Sequence, residues 1–157
     1  MRVFVDANVI FDVYERRQPH YAASLQICRL AQRRLLAAAL ASHTVANGFY
    51  IYGRPFAEFV KRRITEDFEI CSADAHLTRS CLALGIRDFE DALQVGAAMT
   101  WKSAFIITRN ERDFKHSTIP VLSPAAFMKR FHYLDPHGKL KDYIFAELDG
   151  GALVSTM

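Results

Sequence analysis

Short apolar runs alternate with longer stretches of helical periodicity along most of this chain. Five of the short runs are predicted as strands: residues 3–5, 35–41, 69–72, 104–108 and 119–122. Pro120 lies in the last of these runs, which favours an edge position because proline cannot donate a hydrogen bond to a neighbouring strand.

Helices are predicted between these strands: residues 9–15, 21–33, 44–52, a segment carrying Lys61, a segment ending near Gly85, and residues 90–101 and 125–131. Ser72 or Asp74 can cap the segment that ends near Gly85, and Ser123 followed by Pro124 is a typical helix start. Pro55 ends or interrupts the region after residue 52. This alternation predicts an α/β fold with a parallel sheet.

The pattern weakens after residue 133, so we expect one domain over residues 1–131 and a C-terminal extension over residues 132–157. Residues 135–138 (DPHG) are predicted as a turn, and residues 139–157 have no predicted element. The domain is long enough to enclose a sizeable core.

The composition is that of an ordinary globular protein, with 51% hydrophobic and 24% charged residues. No apolar run approaches the roughly 20 residues of a membrane span. The apolar run at the N-terminus is short and ends at Asp6, unlike a signal peptide, so we expect a cytoplasmic protein with no membrane partner. The 3 cysteines lack a CxxC spacing and are interpreted as buried apolar residues.

Lys and Arg number 20 against 17 Asp and Glu, which gives a net charge of +3. Basic residues cluster at positions 16–17, 33–34, 61–63 and 129–130. Such clusters either bind a phosphate backbone or form solvated helix faces, and the charge pattern alone leaves both interpretations open.

Carboxylates follow two of the predicted strands and flank the helix between them. Asp6 directly follows the first strand, and Asp113 lies five residues after Thr108, the end of the fourth. Asp88 and Asp91 lie around the start of the helix that precedes this fourth strand. Because ligands of open parallel sheets bind outside the carboxyl ends of the strands, we expect these acids to share one edge.

Each acid also has a purely structural interpretation. Asp6 can be a helix N-cap, Asp88 and Asp91 can complement a helix dipole, and Asp113 can cap a turn. Their joint placement favours a metal site instead, since a hard divalent cation relieves the repulsion among gathered carboxylates. Such an ion polarises a phosphoryl oxygen and activates water, so phosphodiester hydrolysis is the expected chemistry.

Polar residues beside these acids are candidates for supporting roles. Asn8, Thr108 and Asn110 carry amide or hydroxyl groups that can orient a carboxylate or a metal-bound water. Arg109 can contact a substrate phosphate, although a surface role is equally compatible with its position.

Three segments resemble motifs of the PIN-domain family, in its bacterial VapC-like branch. Residues 5–12 (VDANVIFD) resemble the opening motif, residues 88–94 (DFEDALQ) the third, and residues 107–114 (ITRNERDF) the fourth. The similar residues 119–124 (IPVLSP) follow the fourth motif. Order and spacing agree over about residues 1–131.

The resemblance implies a Rossmann-like three-layer α/β/α sandwich whose central, mostly parallel sheet has about five strands. It also implies an Mg²⁺- or Mn²⁺-dependent endoribonuclease acting on RNA such as tRNA or mRNA. Many such proteins are toxins, held inactive by a small antitoxin protein and often homodimeric. The family's first, third and fourth acids fall on Asp6, Asp91 and Asp113, and Asp88 is a plausible auxiliary ligand.

One position departs from the family pattern. The usual second acid is a Glu after the second strand, where this chain has Asn47. An amide can bind a metal or its water but brings no charge. Glu15 or Glu90 are candidates to replace the acid, although nothing in the spacing requires either.

Two functions therefore remain open: an RNA endonuclease toxin, and a module of the same fold that binds RNA or a partner protein without cleavage. A Rossmann-like phosphotransferase is disfavoured because the sequence has no GxxxxGK[ST] loop and no Asp-x-Asp after the first strand. A serine hydrolase is unsupported because the sequence has no GxSxG.

Overall fold

The computed structural model describes residues 1–83, 88–134, 140–141 and 152–155. Five parallel strands form the central sheet in the order β3-β2-β1-β4-β5. The strands are β1 (Arg2–Val5), β2 (Ala37–Ala41), β3 (Phe68–Cys71), β4 (Phe105–Ile107) and β5 (Val121–Leu122). Each predicted strand is confirmed. The strand that directly follows Pro120, β5, is at the edge of the sheet, as expected.

The helices confirm the predicted alternation. They are α1 (Ala7–Glu15), α2 (Tyr21–Gln32), α3 (Ser42–Tyr52), α4 (Arg54–Arg63), α5 (Ala75–Ala83), α6 (Phe89–Thr100) and α7 (Pro124–Arg130). Asp74 caps α5 by accepting the Leu77 N–H at 2.7 Å, and Ser123 caps α7 by accepting the Ala126 N–H at 3.3 Å. The predicted helix end near Gly85 lies outside the described residues.

Pro55 proves to belong to the start of a helix. Gly53 separates α3 from α4 with a φ of 68°, and Pro55 then occupies the first turn of α4. Proline is well tolerated there because the first N–H groups of a helix have no partner within it.

The sheet is covered on both faces, as a parallel sheet requires. Val3 and Val5 of β1 point into a core formed with α1, α2, α4 and α7, whereas Phe4 points into a second core formed with α5 and α6. All three side chains are fully buried. The predicted three-layer α/β/α sandwich is thereby confirmed.

Residues after α7 form a second, smaller sheet that the sequence did not predict. Strands β6 (Phe131–Leu134), β7 (Leu140–Lys141) and β8 (Ala152–Ser155) pair antiparallel in the order β7-β6-β8. The turn predicted at residues 135–138 lies outside the described residues. Within the described part of the chain, no helix is both long enough and apolar enough to cross a membrane.

The register of the central strands determines where the chain leaves the sheet. Val5 of β1 pairs with Ile107 of β4, and the Asp6 N–H donates to the Ile107 carbonyl at 3.0 Å. Asp6 and Thr108 therefore leave neighbouring strands side by side. This edge is where we expected the acidic residues to gather.

Close packing between α3 and α4 gives a stability prediction. A Cβ added at Gly48 would lie 2.1 Å from Cε1 of Phe56, whose fully buried ring is held by aromatic side chains of α1, α3 and α4. We expect Gly48→Ala to lower the free energy of unfolding by about 1–2 kcal/mol, because overpacking outweighs the gain in helix propensity.

Denaturant titration measures this change in unfolding free energy. Tyr50→Ala is the matched control, because Tyr50 is 91% exposed on the same helix; we expect it to change stability by less than about 0.5 kcal/mol. A Gly48→Ala protein as stable as the wild type would contradict the close approach of the two helices.

Candidate active site

Asp6 is the most deeply buried of the predicted site acids, with 5% of its surface exposed. It sits at the N-cap position of α1 without a well-formed side-chain capping bond, and its stronger partners lie on other elements. Its Oδ1 accepts the Gln94 Nε2–H at 2.9 Å, and its Oδ2 accepts the Thr108 hydroxyl at 2.5 Å. The carboxylate is thus held by α6 on one side and by the end of β4 on the other.

Asn8 completes this network. Its Nδ2 donates both to Asp6 Oδ2 and, at 3.0 Å, to Thr108 Oγ1. Its Oδ1 accepts the Arg109 N–H at 3.1 Å. The Thr108 oxygen also accepts the Asn110 N–H at 3.0 Å, so every polar group of the predicted Asn8 and Thr108 pair has a partner.

Burial and hydrogen bonding have opposite effects on the charge of Asp6. Burial raises the pKa of the Asp6 carboxyl, and the hydrogen bonds from Thr108 and Gln94 partly oppose that rise. A buried carboxylate surrounded by donors is stabilised further by a cation, because a cation supplies the charge that neutral donors lack.

The start of α6 brings further acids toward Asp6. Asp88, for which the sequence suggested either a metal ligand or an acid that complements the helix dipole, is the N-cap of α6 and accepts the Glu90 N–H at 2.8 Å. Asp91 follows in the first turn. The pKa of Asp91 is raised from 3.8 to about 7, first by burial and then by the charges of Asp88, Asp6, Asp113 and Glu90. The predicted acids are therefore electrostatic neighbours.

Asp113 lies on the loop after β4. Its backbone N–H donates to the Asn110 carbonyl at 3.0 Å, which closes a turn. Its carboxylate is exposed and makes no hydrogen bond with the rest of the described residues, although its charge acts on Asp91. The Asn110 side chain is also exposed, and Asn110 contributes through its backbone alone.

Asn47 does not contact Asp6 but reaches the acidic residues through Glu90. Its Nδ2 donates to Glu90 Oε1 at 2.9 Å, and His43 Nε2 lies 3.9 Å from the same oxygen. Burial raises the pKa of Glu90, as do the charges of Asp6 and Asp88. Glu90 therefore brings a carboxylate to the place where Asn47 stands. Glu15 instead pairs with Arg17.

Arg109 faces a buried acid that the sequence interpretation left without a role. Its Nε lies 3.1 Å from Oδ2 of Asp12, and the Asp12 side chain is fully buried. The Ser24 hydroxyl donates to the same oxygen at 3.1 Å. The Arg109 side chain is 25% exposed, so it lies between buried Asp12 and the solvent.

The donor set at this edge suits a hard divalent cation, since it consists of carboxylate, amide and hydroxyl oxygens. Among residues 1–83 and 88–131, no three acidic, histidine or cysteine side chains stand close enough together to hold a metal ion as they are. The chemistry of the donors thus fits Mg²⁺ or Mn²⁺, while exposed Asp113 and half-buried Asp91 would have to draw in around an ion.

Cysteine chemistry is excluded on physical grounds. Burial raises the pKa of the Cys28 thiol to about 12, and it also raises the pKa values of Cys71 and Cys81. All three thiols are therefore protonated near neutral pH and are poor nucleophiles and metal ligands.

Two residues near the site were missed at the level of sequence. Gln94 received no role of its own in the sequence interpretation. It is a buried polar residue among apolar residues of α6, and it lies three positions after Asp91. That spacing places both residues on one helix face, which is a usable signal. Asp12 lies on the buried side of α1, where an unpaired acid is rare and indicates a partner.

The comparisons with known proteins agree with this geometry. A sequence profile described as PIN domain matches residues 2–112. A search of curated protein sequences finds no significant match.

Several solved structures share the fold. A chain of VapBC2 from Rickettsia felis, bound to a DNA fragment from its promoter, is 17% identical with a TM-score of 0.60; the match covers 78% of this chain and 98% of that one. A toxin–antitoxin complex from Klebsiella pneumoniae is 20% identical with a TM-score of 0.59, covering 78% and 97%. FitAcB from Neisseria gonorrhoeae is 18% identical with a TM-score of 0.60, covering 78% and 98%.

The profile match spans most of the central fold and includes Asp6 after β1 and the acids at the start of α6, and it ends one residue before Asp113. The structural matches share the three-layer architecture. Because the profile covers more than half of the sequence and the sheet topology agrees with it, this chain belongs to the PIN-domain family.

Proposed function

We propose that this protein is a metal-dependent endoribonuclease that hydrolyses RNA phosphodiester bonds. The observation that carries the proposal is the position of Asp91, which is half-buried beside other acids; burial first, and then the charges of those acids, raise its pKa to about 7. Acids held this close without a cation destabilise one another. In a PIN fold, with the acids at the carboxyl edge of the sheet, Mg²⁺ or Mn²⁺ is the expected partner.

In this proposal Asp6, Asp91 and Asp113 hold the metal, and Asp88 assists with the oxygen that capping leaves free. When bound, the ion polarises the scissile phosphate and lowers the pKa of a water nucleophile. Gln94, Thr108 and Asn8 fix the orientation of the Asp6 carboxylate. That pre-organisation matters because small displacements of a metal ligand weaken both binding and catalysis.

Glu90 is proposed to supply the charge that Asn47 lacks. The Asn47 amide orients one oxygen of Glu90, and the Glu90 carboxylate is electrostatically coupled to Asp6 and Asp88. The usual second acid would then be replaced by one from α6, with Asn47 acting as its orienting donor.

A titration tests this role of Glu90. We expect Glu90→Gln to weaken Mn²⁺ binding about tenfold, because the amide keeps the hydrogen bond from Asn47 but loses the charge. Isothermal titration calorimetry measures the Mn²⁺ affinity. The control is Glu58→Gln, which changes an exposed glutamate of α4. Equal Mn²⁺ affinity in Glu90→Gln and wild type would exclude Glu90 from the ligand set.

The structural matches favour a toxin role. The matched structures are of VapBC2, FitAcB and a toxin–antitoxin complex. We therefore propose that this chain is the VapC-like toxin of such a pair, acting on cytoplasmic tRNA or mRNA as a homodimer and inhibited by a small antitoxin. A short neighbouring gene whose product copurifies with this chain and blocks RNA cleavage would support the toxin role. A nuclease with no such inhibitor would be a stand-alone enzyme.

One observation favours the alternative, a module that binds RNA or a partner without cleaving. The described acids do not already surround a metal position, and an amide replaces one acid of the family pattern. The two functions differ in metal dependence: the enzyme cleaves single-stranded RNA with Mn²⁺ and stops with EDTA, whereas the binding module leaves RNA intact in both.

A further inference from the structure

We propose that Asp12 and Ser24 are positioning residues that fix Arg109 as the phosphate-binding group of the acidic site. The inference rests on the proposed ribonuclease function and deepens it, because it assigns how the substrate backbone is held. The three residues come from three separate elements: α1, α2 and the loop after β4.

The side chain of Asp12 is fully buried, which is rare for an acid and demands a partner. Its Oδ2 has two, Arg109 Nε at 3.1 Å and the Ser24 hydroxyl at 3.1 Å. Burial raises the pKa of Asp12, whereas the charge of Arg109 opposes that rise more than any other group does. Arg109 is thus the principal countercharge of Asp12.

The geometry of the pair argues against a purely stabilising role. Asp12 Oδ1 and Arg109 Nε are both buried without a well-formed hydrogen bond in the described part of the chain. A buried ion pair contributes to stability only when such groups are satisfied, and apolar residues of similar size often serve stability better. The pair is therefore better explained by a positioning role, in which Asp12 fixes the Arg109 guanidinium.

Arg109 is anchored twice beside the acidic residues. Its N–H donates to Asn8 Oδ1 at 3.1 Å, and the same asparagine contacts Asp6. Its guanidinium is in ion-pair contact with Asp12 on the Nε side, and its Nη groups make no hydrogen bond with other described residues. A guanidinium that is drawn to a buried carboxylate on one side and has available Nη groups can bind a phosphate oxygen pair.

A cationic group is needed near the acidic residues because the RNA backbone is negatively charged. An RNA backbone that approaches Asp6, Asp91 and Asp113 is repelled unless cations offset these charges. Two of the basic clusters are less suited, because Lys61 to Arg63 and Lys129 to Arg130 lie in the last turns of α4 and α7. Cations at those positions complement the helix dipoles.

The test measures the affinity of a fluorescently labelled single-stranded oligoribonucleotide by anisotropy in EDTA, and Mn²⁺ affinity by calorimetry. We expect Arg109→Ala to weaken RNA binding about tenfold, and Asp12→Asn by about threefold to tenfold, with Mn²⁺ affinity unchanged in both. Asp12→Asn added to Arg109→Ala should have no further effect, since both act through one group. Arg112→Ala, an exposed residue of the same loop, should change RNA affinity less than twofold.

Thermal melting establishes that each variant is folded. Ser24→Ala provides a milder perturbation, because it removes one bond to Asp12 and leaves the ion pair; about a threefold loss in RNA affinity is expected. Wild-type RNA affinity in folded Asp12→Asn, or in Ser24→Ala if Asp12→Asn does not fold, overturns the proposal. Additive effects of Asp12→Asn and Arg109→Ala overturn it as well.

Failure of this inference can be distinguished from failure of the ribonuclease proposal. If wild type cleaves RNA with Mn²⁺ but Asp12→Asn leaves RNA affinity unchanged, only the positioning role is wrong. If wild type does not cleave but RNA binding depends on Asp12 and Arg109 together, the positioning role stands and the ribonuclease proposal fails.

Discussion

Replacing Asp6 by Asn is expected to lower the rate of RNA cleavage by at least about 100-fold, on the scale of losing one preorganised charged group from an active site. Asp6 is the buried acid that links β1, β4 and α6, and its charge acts on both Glu90 and Asp91. The loss of its charge removes the most firmly positioned of the proposed metal ligands.

The substitution also disturbs the hydrogen bonds around residue 6. An amide at this position can keep its oxygen toward the Asn8 amide and the Thr108 hydroxyl. Its NH2 group then faces Gln94, which must turn so that its buried and unpartnered Oε1 accepts. The fold can thus tolerate the substitution, and we expect a loss of Mn²⁺ affinity as well as of rate because the negative charge is gone.

A cleavage time course with labelled RNA measures the effect, and circular dichroism establishes that the fold is retained. The control is Asp67→Asn, which removes a carboxylate just before β3, at the opposite edge of the sheet. We expect it to cleave at close to the wild-type rate. An Asp6→Asn protein that cleaves as fast as wild type in Mn²⁺ would refute the site assignment.

Asp91→Asn is expected to weaken Mn²⁺ binding by at least about 100-fold, since it removes a charged ligand rather than a supporting donor. The same residue should make wild-type binding depend on pH. The ion displaces the proton that Asp91 carries below about pH 7. Mn²⁺ affinity should then fall by up to about tenfold for each pH unit below this value.

Asp91 also sets an opposite trend in the stability of the metal-free protein. Its folded pKa of about 7 is higher than the usual value of 3.8, so the native state holds the proton more tightly than the unfolded chain. The associated stability is present below about pH 4 and is lost as pH rises through about 7. At pH 8 in EDTA, Asp91→Asn should be more stable than wild type by about 1–2 kcal/mol, after allowance for solvent screening.

Urea titrations at pH 5 and pH 8 in EDTA, with calorimetry for Mn²⁺, check both statements about Asp91. Wild type should lose stability between the two pH values, and Asp91→Asn should lose less. An Asp91→Asn protein that is less stable than wild type at pH 8 and keeps its Mn²⁺ affinity would show that Asp91 is a structural residue and not a ligand.

The fold followed from the sequence because its signals are local. The five strands of the central sheet are short apolar runs bounded by polar residues, and the capping roles of Asp74 and Ser123 are readable from residue type alone. The second sheet was missed because β6 pairs with β8 across a long separation, such as Phe131 with Ser155, and because β7 has only 2 residues, too few to show a strand pattern.

Only those site residues that follow strand ends or lie in motifs could be predicted from the sequence. The strand ends and motifs indicated that Asp6, Asp88, Asp91 and Asp113 would share an edge, and the charges of the other three acids do act on Asp91. The partners of these residues were not predictable. The contact between Asn47 and Glu90 and that between Asp12 and Arg109 join residues far apart in sequence, and each depends on how helices pack on the sheet.

The central claim is that this acidic edge binds a divalent ion and uses it to cut RNA. Its most direct test follows one sample of purified wild-type protein with labelled single-stranded RNA, first with Mn²⁺, then after excess EDTA, then after Mn²⁺ is restored. The account predicts cleavage, arrest and recovery in that order. Cleavage that continues unchanged in EDTA, or RNA that stays intact with Mn²⁺ present, would contradict it.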